Sequence, residues 1–477
     1  MDELRPDDVD DDAVEEDAPD TPIDAAVIDR LAAYGHEPEQ LPEPEQLPEP
    51  EQPHEPEPVL ESEARFVAES IQLSEEYAVE REGSDATGLT PPLGVVEEGA
   101  VPEQRRFGRR RSRDAKPRSV EQRKDKRATK LVGLKIGASQ IAAAQVVNNG
   151  APELVEVFRE PLEPGVVVSG EIRDPETLGD ALKRFFELHK LPKRGVRVGL
   201  SNNRIGVRVF QIDGVADTQL ENAIRFRAEE VLPIPLDQAV LDYVVLSDEV
   251  RPDGTESKRI LLVVAYREVV DRYLHPCRRA GLQVVGIDLE AFALLRSLES
   301  PTERDASAGA LVGVAIGHDR TTIAVSTGLY CEFARVLDWG GWSLDVAIAR
   351  ELDRAPSEVE AIKRQLSFAR QSEVEGLTAE QIQKARNGIQ RALATFGREL
   401  VSSLQFYQAQ PGALGIGEIV LTGGTAHMDG LTDAIGELVG VPVRLGDPFK
   451  RVKVGPQVAD DAQPGSLAIA IGLGIED

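Results

Sequence analysis

Several features that commonly reveal a protein's function are scarce in this sequence of 477 residues. Only two cysteines occur, Cys277 and Cys331, and they resemble neither a CxxC pair nor a disulfide framework. We expect two buried thiols in a reducing compartment. The six histidines are scattered, and the sequence has no Walker lysine motif, zinc cluster or Ser/His/Asp arrangement. The usual signatures of P-loop, zinc and serine-nucleophile chemistry are therefore missing.

Long apolar runs are missing too. No uncharged stretch approaches the length needed to cross a bilayer, so we expect the chain itself to be soluble. The N-terminal residues are acidic and contain no apolar h-region, so we expect no signal peptide. Membrane contact would then be indirect or would use a basic segment.

Positive charge is outnumbered and unevenly distributed. The formal net charge is −29, of which residues 1–104 carry −28, residues 105–130 carry +10 and the remainder carries −11. From His36 the acidic tail is built on a Pro-Glu repeat, and proline spaced by like charges predicts an extended, disordered chain. The net charge therefore describes the tail, and the folded part is only mildly acidic.

A basic linker, residues 105–128, joins the tail to the folded part and contains one aromatic residue, Phe107. Such a segment can contact anionic lipid or RNA, or it can pair with the acidic tail and solvate the start of the domain. We favour the second interpretation and expect no nucleic-acid partner.

Two similar strand–turn–strand patterns occur about 180 residues apart, at Leu131–Val147 and Leu311–Val325. Each contains Ile-Gly and a short polar turn, which can point backbone N–H groups at a phosphate, although most such turns are structural. A third turn, within Ile419–Leu431, places Gly423 and Gly424 before a helix. The long offset favours two related lobes over an array of repeats.

The elements between these turns predict an α/β protein with two lobes. We expect the first lobe at 129–204, an inserted α/β subdomain at 205–285 and a return to the first lobe at 286–307. The second lobe is expected at 308–342 and 416–477, with a helical subdomain at 343–415. Its last helix carries a long apolar stripe, formed by Ile389, Leu393, Phe396, Leu400, Leu404 and Tyr407.

This order of elements resembles the actin-like ATPase fold, in which two lobes of one βββαβα plan hold nucleotide in the cleft between them. Four stretches are more particular: SGEIRD at 169–174, RAEEVLPIPLDQAVLDYVVL at 227–246, GLQVVGIDLEAFAL at 281–294 and WGGWSLDVAIARELDRAPSEVEAIKRQL at 339–366. In these stretches the chain resembles, within that superfamily, the PilM family of type IV pilus assembly proteins, which is similar in plan to the division protein FtsA. The resemblance covers roughly residues 129–477.

The resemblance implies ATP as a cofactor and a set of nucleotide-binding residues. Glu360 and Lys363 match its Glu-x-x-Lys, in which the carboxylate takes ribose hydroxyls and the ammonium lies by the base; an exposed ion pair on a helix is the alternative. The implied set is Lys135, Gly137, Ala138, Ser139, Gln140, Gly317, His318, Asp319, Arg320, Thr321, Glu360, Lys363, Gly423, Gly424 and Thr425.

Two departures from the family pattern concern the metal. The acidic positions that hold magnesium and water beside the phosphates are occupied here by Lys135 and Ala315. Mg²⁺ requires hard oxygen ligands, and neither side chain supplies one. Whether magnesium binds is therefore left open, and no catalytic residue or metal ligand is assigned. ATPase activity is doubtful for the same reason.

The resemblance implies a cytoplasmic scaffold, peripheral at the inner face of the cytoplasmic membrane, in a type IV pilus or related machine. It would bind the N-terminal cytoplasmic peptide of a PilN-like inner-membrane protein, between the first lobe and the inserted subdomain. Other platform proteins and the assembly ATPase are further candidate partners.

Two alternatives stay open: an active actin-like ATPase that uses Asp319 for the metal, and an FtsA-like division protein. The C-terminal stretch GSLAIAIGLGIED lacks the polar face of an amphipathic membrane helix, which counts against division.

If residues 1–128 are disordered, limited proteolysis should leave a stable fragment that begins near Ala128, because exposed flexible chain is cleaved first. Intact mass and N-terminal sequencing of the fragment check this. A protected fragment that retains the Pro-Glu repeats would contradict it.

Overall fold

The computed structural model describes residues 129–231, 235–251, 254–302, 304, 307–370, 373–456, 458 and 464–476. The predicted disordered tail and basic linker lie outside these residues. None of the helices in these ranges combines the length and the hydrophobicity that a bilayer span requires.

The first lobe begins with an antiparallel meander, followed by a short hairpin, a helix and a further strand. Its helix starts where the Asp174 carboxylate accepts a hydrogen bond from the Thr177 amide at 2.9 Å, and Pro175 follows at a position that needs no amide donor. The elements are β1 (Thr129–Ile136), β2 (Gln140–Asn149), β3 (Ala151–Pro161), β4 (Val167–Val168), β5 (Glu171–Ile172), α1 (Pro175–Leu188) and β6 (Arg194–Leu200).

A small α/β unit is inserted after β6. It consists of β7 (Ile205–Asp213), α2 (Asp217–Val231), β8 (Ala239–Val250) and β9 (Glu256–Tyr266). The strands form an antiparallel sheet in the order β7-β9-β8. This sheet shares with α2 a separate apolar core that includes Leu220, Ile224 and Leu262. The predicted insertion therefore has a core of its own.

The chain then enters α3 (Arg267–Arg279), β10 (Gln283–Leu289) and α4 (Glu290–Leu298). Although the predicted insertion extends to residue 285, α3 packs beside α1 and buries Tyr273 and Cys277 in the first lobe's core, while β10 pairs in parallel with β6. The Tyr266 amide donates to the Arg204 carbonyl at 3.3 Å. The inserted sheet thus leaves and rejoins the lobe at one point.

The second lobe repeats the plan of the first. Its elements are β11 (Ala310–Ile316), β12 (Thr321–Ser326), β13 (Cys331–Leu337), α5 (Gly341–Leu352), α6 (Glu360–Lys363), α7 (Ala379–Gln408), β14 (Ile416–Thr422), α8 (Leu431–Val439) and β15 (Val443–Leu445). The strand order is β13-β12-β11-β14-β15, with an antiparallel meander followed by parallel strands. All six side chains of the predicted stripe on α7 are buried in this lobe's core.

The last elements, β16 (Lys453–Val454) and α9 (Ala468–Gly474), return to the first lobe, although residues 416–477 are predicted in the second. Strand β16 pairs with β3 and completes a sheet in the order β10-β6-β1-β2-β3-β16. Helix α9 packs on β1, β2 and β6 and against α4, while α4 contacts β11, β12 and β13. The two helices therefore lie between the sheets of the two lobes, and the predicted two-lobed architecture with an insertion is confirmed.

Two glycines permit this central packing. A Cβ on Gly133 of β1 would lie 2.0 Å from the Ala470 carbonyl oxygen, and one on Gly472 of α9 would lie 1.8 Å from the Ala293 carbonyl oxygen. Both neighbours are main-chain atoms, so no change of rotamer relieves the clash.

The two cysteines are buried, which confirms that prediction. Burial raises the pKa of the Cys277 and Cys331 thiols to about 12. The reactive thiolate is therefore rare at neutral pH, as expected of thiols that only pack.

Replacing Gly133 with Ala should lower the free energy of unfolding by about 1–3 kcal/mol, because the added methyl group forces α9 away from β1. Urea unfolding of the chain measures the change. The matched control is Gly206→Ala on β7, where nothing lies within 4 Å of the added Cβ; this change should stay within about 0.5 kcal/mol. Equal stability of the two variants would refute the packing argument.

Candidate functional site

A cavity of about 420 Å³ lies between the two lobes, where the β1–β2 and β11–β12 hairpins end. Its volume lies in the range of small-molecule sites. The cavity receives side chains and backbone from both sheets, from α3 and α4, and from the start of α5.

The two hairpin turns have the same backbone hydrogen bond. The Gly137 amide donates to the Gln140 carbonyl at 3.0 Å, and the Gly317 amide donates to the Arg320 carbonyl at 2.8 Å. Each turn lines the cavity from its own lobe. The duplicated sequence pattern thus places two equivalent turns on opposite sides of one space.

The third glycine turn also lines the cavity, on the side of the second lobe. Gly423 has a φ of +94°, and a Cβ there would lie 2.1 Å from the Ile316 carbonyl oxygen. The Thr425 hydroxyl and the Gly341 amide both donate to the Gly317 carbonyl, at 3.1 and 3.0 Å. Gly423 is therefore required by conformation and by close backbone approach.

Fourteen of the fifteen predicted nucleotide-binding residues line this cavity. The exception is Thr321, which is fully buried and whose hydroxyl donates to the Trp339 carbonyl at 2.8 Å. Proximity to one cavity does not test the predicted roles, which stay predictions.

Glu360 and Lys363 both reach the cavity but have separate partners within the protein. The Lys363 ammonium donates to the Asp345 carboxylate at 2.6 Å and to the Gly341 carbonyl at 3.1 Å. Glu360 accepts a hydrogen bond from Arg364 at 2.6 Å on the exposed side of the short helix. A ligand would have to compete with these contacts or use the remaining lone pairs of Glu360.

Lys135 forms a buried ion pair beneath the first turn. Its Nζ lies 3.8 Å from Oε2 of Glu290, and the two side chains are 19% and 7% exposed. Burial raises the pKa of the Glu290 carboxyl above its usual range, while the charges of Lys135 and Arg320 oppose that rise. Both side chains line the cavity, so its interior holds a cation and an anion in close contact.

Asp319 and Arg320, in the second turn, bind the first lobe. The Ser169 amide donates to Oδ2 of Asp319 at 2.8 Å, and Arg320 donates to the Ser201 carbonyl at 2.6 Å. Arg320 is buried and stands over Gly170, where a Cβ would lie 2.3 Å from its Nη1. The cleft is therefore bridged by hydrogen bonds beside the cavity.

Several cavity residues were missed by the sequence reasoning. Tyr273 donates its hydroxyl hydrogen to the Gly170 carbonyl at 3.1 Å, and burial raises its pKa. Glu290 and Ser201 also line the cavity, while Asp345 lies behind it and holds Lys363. The sequence did contain a signal for Glu290, because this charged residue directly precedes the apolar run Ala291–Leu295.

The residues present fit an anionic nucleotide better than a hydrated magnesium ion. Glycine turns and cationic side chains suit phosphates. For the metal, Ala315 offers no donor, Lys135 is itself a cation, and both nearby carboxylates have other partners. A hard divalent cation needs several free oxygen ligands.

A family model described as type IV pilus assembly protein PilM matches residues 133–477, well over half of the sequence. The chain belongs to this family. The match confirms the resemblance found in the sequence, and with it a place among the proteins of type IV pilus assembly.

Individual relatives agree with the family match. A solved PilM–PilN type IV pilus biogenesis complex contains a chain that is 25% identical, with a TM-score of 0.60, and the match covers 72% of this chain and 97% of that one. The cell division protein FtsA of Pseudomonas aeruginosa is 29% identical over 67% of this chain and 83% of its own length. FtsA of Escherichia coli K12 is 25% identical over 72% of this chain and 89% of its own length. The predicted actin-like two-lobed fold is confirmed.

Proposed function

We propose that the chain is a cytoplasmic scaffold of a type IV pilus or related assembly machine, peripheral at the inner face of the cytoplasmic membrane. The observation that carries this proposal is the family match over residues 133–477. Other platform proteins and the assembly ATPase are further proposed partners. Membrane contact would be indirect or through the basic linker.

The proposed main partner is the N-terminal cytoplasmic peptide of a PilN-like inner-membrane protein. Support comes from the solved relative, which is a PilM–PilN complex. The proposed docking surface lies between the first lobe and the inserted subdomain. That subdomain has a core of its own and leaves and rejoins the lobe at one point, while Val207, Leu261 and Ala265 of its sheet also pack in the first lobe's core.

Replacing residues 205–266 with a short Gly-Ser linker should abolish capture of a labelled N-terminal peptide from a candidate PilN-like protein. The hydrogen bond between Tyr266 and Arg204 shows that the linker spans a short gap. The replacement keeps α3 and β10, which belong to the first lobe, but it removes Val207, Leu261 and Ala265 from that lobe's core, so the folding of the variant must be measured with its binding. Fluorescence anisotropy of the peptide measures the binding.

A scrambled peptide is the control for sequence-specific capture, and circular dichroism with a urea titration reports whether the two lobes stay folded. Undiminished peptide capture by the folded variant would show that the docking surface lies outside the inserted subdomain.

The cleft is proposed to bind ATP and to hydrolyse it poorly or not at all. The cavity volume, the paired glycine turns and the cationic side chains support binding. Poor hydrolysis is supported by the donor set, because Lys135 and Ala315 supply no oxygen to a metal. Among the residues that the structure describes, no group of three or more His, Cys, Asp or Glu side chains could hold a metal ion.

Phosphate release from ATP over several hours should not exceed that of a protein-free control. The physical reason is that metal-held charge contributes several kcal/mol to the transition states of such reactions. A coupled phosphate assay measures the rate. Turnover that Glu360→Ala removes would point to a working active site instead.

An active actin-like ATPase is the second candidate, because Asp319 does line the cavity and retains Oδ1 for a further ligand. The FtsA relatives give a third candidate, a role in division. The phosphate-release assay distinguishes an active ATPase from the proposed scaffold. Capture of the PilN-like peptide distinguishes the scaffold from a division protein.

A further inference from the structure

Lys135 places a largely buried ammonium group near the first glycine turn, two residues before Gly137. It is the penultimate residue of β1, and its side chain lines the cavity. Its observed anionic contact is Glu290, at 3.8 Å. A buried cation that faces a cavity attracts anions there more strongly than one in water would.

Glu290 is the first residue of α4 and is 5% exposed. Its carboxylate offsets the charge of Lys135, while Arg320 contributes a further positive charge from the opposite lobe. This carboxylate therefore acts as a counterion that belongs to the protein. A phosphate that reached Lys135 would take over part of that role.

The same arrangement disfavours a divalent cation. A metal ion beside the first turn would meet the like charge of Lys135 and the methyl group of Ala315. The Asp319 carboxylate already accepts the Ser169 amide, and Glu290 already faces Lys135. Few free oxygen ligands remain for an ion that prefers six.

We propose that Lys135 supplies the positive charge that a metal would otherwise bring, so that the cleft binds the phosphates of a nucleotide without a divalent cation. Glu290 serves as the internal counterion that the incoming phosphate displaces. This inference rests on the proposed nucleotide binding. It specifies that the bound species is the nucleotide with a metal-free polyphosphate.

Calorimetric titration of the full chain with ATP tests the inference, once in excess Mg²⁺ and once in EDTA. The two dissociation constants should agree within about threefold, because no metal bridge is lost. A loss of affinity of about tenfold or more in EDTA would overturn the inference while leaving nucleotide binding intact. Absence of binding in both buffers would overturn the nucleotide proposal together with the inference.

Charge variants test the role of the lysine itself. Lys135→Met keeps the length of the side chain and should weaken ATP binding about tenfold in both buffers. Lys130→Met is the matched control, since Lys130 lies on the same strand but is exposed and away from the cavity. Glu290→Gln should tighten binding by about threefold, because it removes the competing internal anion.

Unchanged affinity in a folded Lys135→Met variant would overturn the inference. So would weaker binding by Glu290→Gln, which would show that the carboxylate assists the ligand instead of competing with it. Urea unfolding of each variant separates loss of binding from loss of structure.

Discussion

The close approach of α9 to β1 and α4 is the constraint on which the rest of the structure depends. Main-chain atoms meet where Gly133 and Gly472 lack side chains, and no larger residue fits without displacement. The helix pair fills the space between the two sheets, and Arg296 fastens it by donating to the Gly472 carbonyl at 2.9 Å. Because α4 also contacts the second sheet, this packing fixes how the lobes face each other.

The position of the central charge pair follows from that packing. Glu290 begins α4, so the helix pair determines where its carboxylate lies, and β1 determines where Lys135 lies. A buried ion pair is weak support for stability, since desolvation offsets most of the attraction. Under the proposed nucleotide binding, the pair would be a pre-arranged charge at the site, where the ligand replaces one partner.

Much of the architecture was predictable from the sequence because local patterns decide it. The two Ile-Gly hairpins, the apolar stripe on α7 and the Asp174-Pro175 helix start each carry their own signal. The ends of the domains were harder to predict. Strand β16 has only two residues and joins the first sheet by pairing with β3, about 300 residues earlier in the chain. No local sequence pattern predicts this pairing.

The lining of the cavity was predictable to a similar extent and for the same reason, although the roles of the lining residues stay predictions. Residues within the glycine turns follow from the turns themselves, so they were found. Tyr273 and Glu290 come from helices far away in sequence and reach the cavity only through packing. The partners of Lys363 were also hidden, because Asp345 lies on a different helix, and the Glu-x-x-Lys spacing alone predicts only a shared face.

The inserted subdomain is not mechanically separate from the cleft. Arg320 in the second turn binds the Ser201 carbonyl, just before the insertion begins, and Asn203 donates to Asp338 at 3.1 Å. On the insertion's own sheet, Arg259 forms an ion pair with Glu332 of β13 at 2.8 Å. A rotation of one lobe against the other must stretch or exchange these contacts, because they connect the insertion and its entry segment to the second lobe. Ligand in the cleft and peptide at the insertion would therefore act on a shared set of hydrogen bonds.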